Sequence, residues 1–289
     1  MLLRDAQAVS LGNKLYVGGD PLLSEDLLRY GAQLYIYTPA SDIWKTIGTP
    51  VYWFTLATYH SQLVLVGGME STSQCTNKLW TLNELDWKPL QPSMNIRCYI
   101  PSVMSHDDYL LVAGGLPDDD DLEMNISDTL DIEVYDGSCW SIAHQPLPVN
   151  PGSYMKSACF AGYWYLGGFE DDKGVYFTSL DSLIDSCMSE IPPSSTVWKR
   201  LPDVPDSWPS VIPVVFGDHL IALGASSTIY AFSSRSYSGW EPVGDLHLSM
   251  NCICGLTMRS GELIIIGGEI GDKNAANVVL KATANSKLL

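Results

Sequence analysis

Short apolar runs punctuated by turns organise this chain, and one arrangement recurs six times. Each copy is a polar or glycine turn, then four to six apolar residues rich in Leu, Val, Ile and Tyr, then Gly-Gly or a near match. The copies read LGNKLYVGGD at 11–20, HSQLVLVGGM at 60–69, HDDYLLVAGGL at 106–116, FAGYWYLGGF at 160–169, FGDHLIALGA at 216–225 and RSGELIIIGGE at 259–269. A run such as Leu63-Val64-Leu65-Val66 is too short for a helix, and bounded by turns it fits a strand buried on both faces. Two adjacent glycines at its end remove both Cβ atoms and allow positive φ. They mark a sharp exit or the close approach of another backbone. The first glycines, Gly18, Gly67, Gly114, Gly167, Gly224 and Gly267, are separated by 49, 47, 53, 57 and 43 residues. A β-rich period of about 50 residues predicts the blades of a propeller.

Tryptophans supply a second marker, at Trp44, Trp87, Trp140, Trp198 and Trp240. Two copies keep an aromatic seven residues earlier: Tyr37 before Trp44 and Trp80 before Trp87. The copy at Trp87 continues as WKPLQPSMNIR and ends at Arg97. Gly-Gly after an apolar strand, then an aromatic, a Trp, Leu-Pro-x-Met and Arg together resemble the kelch repeat. The resemblance implies an all-β, six-bladed kelch-type β-propeller with four-stranded antiparallel blades. The chain departs from the pattern in three places. The fifth copy has Gly224-Ala225, no Trp follows the sixth, and Phe54, Asn150, Trp208 and Met250 hold the places equivalent to Arg97. In some kelch proteins such arginines line an acidic-peptide pocket; here only Arg97 and Arg4 stand where they could serve.

The whole chain, 1–289, reads as one propeller domain with blades near 1–49, 50–93, 94–147, 148–203, 204–246 and 247–289. The last blade is incomplete: strands are expected at 252–258, 262–266 and 278–283, and no tryptophan follows them. Ring closure is therefore expected to need either a makeshift pairing of the two termini or, the favoured reading, sequence upstream of Met1, because an open sheet edge is a liability. Between the third and fourth strands of blade four, residues 180–195 form the one large insertion, read as one helical turn followed by a Pro-Pro-led extended stretch.

Apolar content of 46% with 17% charged residues suits a globular β protein. No apolar run reaches the about 18–20 residues of a membrane span, and the first residues resemble neither a signal nor a transit peptide. A formal net charge of -17 argues against nucleic acid and anionic membranes, which need clustered Lys and Arg. It permits a basic partner. Seven cysteines without a C-x-x-C spacing read as reduced thiols in a cytoplasmic protein. Five histidines fall in separate blades with no metal-ligand spacing. The run Asp118–Asp121 lacks the alternating spacing that wraps a calcium ion and reads as a solvated loop. Cys252 and Cys254 read as small buried hydrophobes on an inner strand. No nucleotide or nucleophile-elbow motif is present, so no cofactor, metal or catalytic residue is expected.

In a four-stranded blade, the link from second to third strand shares a face with the entry into the next blade. On that rim lie Tyr52, Trp53, Arg97, Tyr99, Tyr154, Lys156, Trp208 and the acidic run Asp118, Asp119, Asp120 and Asp121. Aromatics with a few cations are the residue types that anchor protein recognition. The reading is a protein-interaction module and not an enzyme. The resemblance implies substrate capture for a ubiquitin ligase, or actin binding, as contexts. The alternative is a sugar-handling kelch enzyme such as a sialic-acid mutarotase, which would need a charged axial pocket with convergent Arg, Glu and His; the sparse arginines on the inner strands count against it.

Overall fold

The structure is a computed structural model. It describes residues 3–21, 33–70, 74–93, 95–97, 100–115, 130–151, 155–169, 172, 174–189, 198–205, 211–224, 226–233, 239–246, 251–258, 260–270, 274–275 and 279–283. The chain forms a β-propeller of antiparallel sheets. Five are complete four-stranded blades in which each strand pairs with the next in sequence. The first comprises β1 (Leu3–Leu11), β2 (Lys14–Pro21), β3 (Gln33–Thr38) and β4 (Ile43–Gly48). The second comprises β5 (Thr55–Tyr59), β6 (Gln62–Val66), β7 (Leu79–Asn83) and β8 (Asp86–Leu90), and the third β9 (Ser102–His106), β10 (Tyr109–Ala113), β11 (Ile132–Tyr135) and β12 (Trp140–Ile142). The fourth comprises β13 (Lys156–Phe160), β14 (Tyr163–Gly167), β15 (Tyr176–Ser179) and β16 (Lys199–Arg200), and the fifth β17 (Ile212–Phe216), β18 (His219–Leu223), β19 (Thr228–Phe232) and β20 (Trp240–Asp245).

The repeat count predicts six blades, the last without its outer strand; the structure shows five complete blades and one irregular sheet. The remaining sheet has β21 (Asn251–Thr257), β22 (Glu262–Ile270), β23 (Asn274–Ala275) and β24 (Val279–Thr283). Both β23 and β24 pair with the same edge of β22, in tandem, so among the described residues no outer strand follows β24.

The uninterrupted apolar runs are explained by the cores they feed. Leu63 and Leu65 pack with Tyr16, Leu34 and Ile36 of the first blade. Their neighbours Val64 and Val66 pack with Val103, Leu110 and Val112 of the third. Alternate side chains of one strand thus enter two different inter-sheet cores, because successive Cβ atoms point to opposite faces. Ala6, Leu15 and Val17 share the last such core with Cys254, Ile264 and Ile266, so the final sheet packs on the first.

At Gly67 (φ +65) a Cβ would lie 2.6 Å from the carbonyl oxygen of Arg97. The diglycine is bare because the segment entering the next blade crosses it. Four outer-strand tryptophans tie each blade to the one before. Their indole N–H groups donate to backbone carbonyls: Trp87 to Gly48 (2.8 Å), Trp140 to Gln91 (3.4 Å), Trp198 to Pro146 (3.0 Å) and Trp240 to Pro202 (2.8 Å).

The insertion in blade four is more helical than its sequence implied. Helix α1 (Leu180–Met188) runs nine residues. Ser179 caps it, its Oγ accepting from the Ser182 N–H at 3.3 Å. Leu180, Leu183 and Ile184 bury its inner face in the core between the third and fourth blades. The thiol expectation also needs correction. Cys75 is disulfide-bonded, whereas Cys139, Cys159, Cys187 and Cys254 are free. No helix among the described residues is long and apolar enough to cross a membrane.

Candidate functional site

The innermost strands β1, β5, β9, β13, β17 and β21 follow one another around the axis, and β21 returns to β1. They enclose a cavity of about 510 Å³ lined by residues from all six. Strand register sorts these residues into tiers. Gln7 lies opposite Gly18, and Lys156 lies opposite Gly167, so both sit level with the diglycines. One residue further along come Thr55, Ser102, Ser157 and Cys254. The ring order sets β1 and β13 three steps apart, so Gln7 and Lys156 belong to opposite walls.

The wall chemistry is distinctive for so acidic a chain. Among the described residues, no Asp, Glu, Arg or His lines the cavity; Lys156 is its one cation, and seven Ser and Thr side chains supply hydroxyls. Some of these hydroxyls are used within the fold. Thr55 Oγ1 donates to the Pro101 carbonyl at 2.5 Å, and Thr257 Oγ1 donates to that of Val215. Others are not. Gln7 is 7% exposed and Ser102 3% exposed. Gln7 Nε2 and Ser102 Oγ are both buried and have no hydrogen-bond partner among the described residues. Leaving a buried polar group unbonded costs roughly 1–3 kcal/mol, so such groups ask for an explanation. The Lys156 Nζ is likewise buried. Burial pushes the Cys254 thiol up from its ordinary value, while the Lys156 charge and the Ala8 N–H act the other way. Cys254 is therefore a protonated wall residue at neutral pH.

The rim residues named from sequence scatter. Lys156 lies on the cavity wall instead of the rim. Arg97 is placed in the interior, 1% exposed, and is committed there. Its guanidinium meets Glu133 Oε1 at 3.3 Å and donates to the carbonyls of Gly114 and Asp131. Tyr52 is half-buried and exchanges backbone hydrogen bonds with Met69. Trp53, also half-buried, has φ 51, and its carbonyl accepts from the Ile100 N–H at 3.1 Å. Tyr99, Tyr154, Trp208 and Asp118, Asp119, Asp120 and Asp121 lie outside the described residues. Sequence reading missed Gln7 and Ser102. Aligning each inner strand against its diglycine would have found Gln7 in a tier with Lys156, Phe54, Pro101 and Val211, and Ser102 in the next tier beside Thr55 and Ser157.

No protein-family model matches the chain, and no curated protein matches it in sequence. Its fold does match a solved structure, that of YjhT. The TM-score is 0.71 over 99% of this chain and 96% of that one, at 16% identity. At that identity the likeness shows a shared propeller fold. It overturns the expectation that the chain is not an enzyme. The propeller fold fits a binding module or an enzyme alike, and this one holds an axial cavity of ligand size.

Proposed function

We propose that the chain is a kelch-type propeller, with its last sheet as the sixth blade, that binds a sugar in the axial cavity, as a sugar-handling propeller of the sialic-acid mutarotase kind would; the described wall supplies binding contacts and no carboxylate, arginine or histidine for the exchange itself. One observation carries the reading: two buried polar side chains, Gln7 and Ser102, face a cavity of about 510 Å³ without protein partners. A polyhydroxylated ligand supplies the missing partners at each of them. The cavity volume falls within the roughly 300–1,000 Å³ of small-molecule sites. The hydroxyl-rich wall, which among the described residues carries no carboxylate, fits a ligand with its own hydrogen-bond acceptors. The likeness to YjhT supports the fold on which this reading stands.

The test is calorimetric titration with N-acetylneuraminate, N-acetylmannosamine and glucose, with anomer exchange followed by NMR. Saturable binding of one sugar is expected, and anomers interconverting faster than in buffer would extend the reading to catalysis. Failure of every sugar to bind overturns the reading.

A second reading keeps a protein-docking rim, with a basic protein as the partner for this acidic chain. Trp53 favours it: a bulky aromatic in left-handed backbone is a strained position of the kind found at recognition sites. A stoichiometric partner captured by the wild type and lost in Trp53→Ala carries that reading; capture unaffected by the change removes it.

A further inference from the structure

The wall of the axial cavity is uneven around the ring. Three successive inner strands, β1, β5 and β9, each bring two hydrogen-bonding side chains to it: Gln7 and Ser10, Thr55 and Thr58, Ser102 and Ser105. The two with buried, unpartnered polar atoms, Gln7 and Ser102, flank the middle strand of this arc. Strand β17 stands three steps from β5 in the ring and so across the cavity from it. It contributes Ile212, Pro213, Val214 and Val215 and no polar side chain. Register sets Ile212 level with Thr55 and Ser102, because each pairs with the residue just before its blade's first glycine. Pro213, next along, has no backbone N–H to offer either. The neighbouring strand β21 extends this apolar side through Gly255 and Leu256. A ligand hydroxyl pressed against such a wall gives up its bonds to water and gains none in return. A methyl group in the same place is favoured by its own burial.

We infer that the cavity selects a sugar with a hydroxylated edge and a methyl group opposite it, the pattern of a 6-deoxyhexose. Gln7 and Ser102 hydrogen-bond the hydroxylated edge, with Gln7 Nε2 donating to a ligand oxygen. Ile212 and its neighbours on β17 receive the methyl end. The inference rests on the axial-site reading above and deepens it by naming the class of sugar. Gln7, Ser102 and Ile212 hold and orient the ligand, and none of them is asked to move a proton.

Calorimetric titration compares two pairs of sugars that differ in a single oxygen: L-fucose with L-galactose, and L-rhamnose with L-mannose. In at least one pair, wild-type protein is expected to bind the 6-deoxy member about fivefold or more tightly, because the 6-hydroxyl of its partner is buried against β17 without a hydrogen bond. Ile212→Thr, which places a hydroxyl on that wall, brings the ratio toward unity. Ser102→Ala and Gln7→Ala weaken both members of a pair alike, by about fivefold, and keep the ratio. Equal affinity within each pair, or tighter binding of the 6-hydroxyl member in both, overturns the assignment and leaves the axial site standing; this comparison needs no variant. An Ile212→Thr protein that melts near the wild-type temperature yet keeps the full ratio overturns it as well. Binding of glucose or an N-acetyl sugar with none of these four removes the methyl-end assignment alone. Binding of no sugar at all sinks the axial-site reading, and this assignment with it.

Discussion

The strongest single test of the architecture is the replacement of Arg97 by methionine. Arg97 belongs to the segment that enters the third blade, and Glu133 lies in the third strand of that blade. The two side chains are 1% and 0% exposed. The guanidinium meets Glu133 Oε1 at 3.3 Å and donates to the carbonyls of Gly114 and Asp131. The same Glu133 oxygen accepts the Asn95 N–H at 2.7 Å. Burial lowers the Arg97 pKa and Glu133 opposes that, but arginine stays protonated in proteins. Methionine keeps much of the volume and removes the charge, so a buried carboxylate loses its cation. Breaking a buried pair from one side costs about 3–5 kcal/mol, whereas replacing both partners by apolar residues is often neutral. The double variant Arg97→Met with Glu133→Leu is therefore expected to be more stable than Arg97→Met alone. Equilibrium urea unfolding followed by tryptophan fluorescence reads this as a shift in midpoint at unchanged slope. An Arg97→Met protein within about 0.5 kcal/mol of wild type, or a double variant weaker than the single, refutes the assignment of this pair as an internal tie.

Three further outcomes follow from the geometry. Trp87→Phe removes the indole bond to Gly48 and is expected to cost about 1 kcal/mol in the same urea assay. Trp44→Phe should cost less, because Trp44 is 42% exposed and makes no indole hydrogen bond among the described residues. Gly67→Ala and Gly12→Ala both place a side chain at positive φ, but only at Gly67 does the Cβ meet a backbone oxygen. Differential scanning should show Gly67→Ala the less stable by roughly 1–3 kcal/mol; equal melting temperatures would contradict the crossing described above. Asp172 gives a pH test. Burial raises its pKa, but bonds from Arg200, Tyr176 and the Gly174 N–H more than offset this and leave it lowered. Its contribution is thus present above the ordinary carboxylate pKa and lost as pH falls through the lowered folded value. Asp172→Asn should lower the melting temperature at neutral pH and match wild type in strong acid; a gap that is constant with pH would count against it.

Much of this fold is legible in the chain alone, because its signals are local. A strand such as Gln62–Val66 is apolar on both faces since each face feeds a different inter-sheet core. The diglycine closing it is required by a neighbour always one blade on. The four-stranded antiparallel blades and their strand order could be read that way, whereas the count of six met only five complete blades. Helix α1 was half visible: its Leu180, Leu183 and Ile184 spacing is in the sequence, but their burial depends on the third blade.

What the sequence determined by itself is a period, and a period fixes which residues are equivalent but not which ones meet. Arg97 looked like a rim anchor because nothing near it in the chain carries the opposing charge; its partner Glu133 lies 36 positions away. Lys156, likewise placed on the rim by its neighbours, stands on the cavity wall opposite Gln7, which no local feature marks. The indole ties between blades are long-range in the same sense. Only closing the sheets into a ring decided these pairings, because the ring order converts a spacing of about three repeats into opposite sides of one cavity.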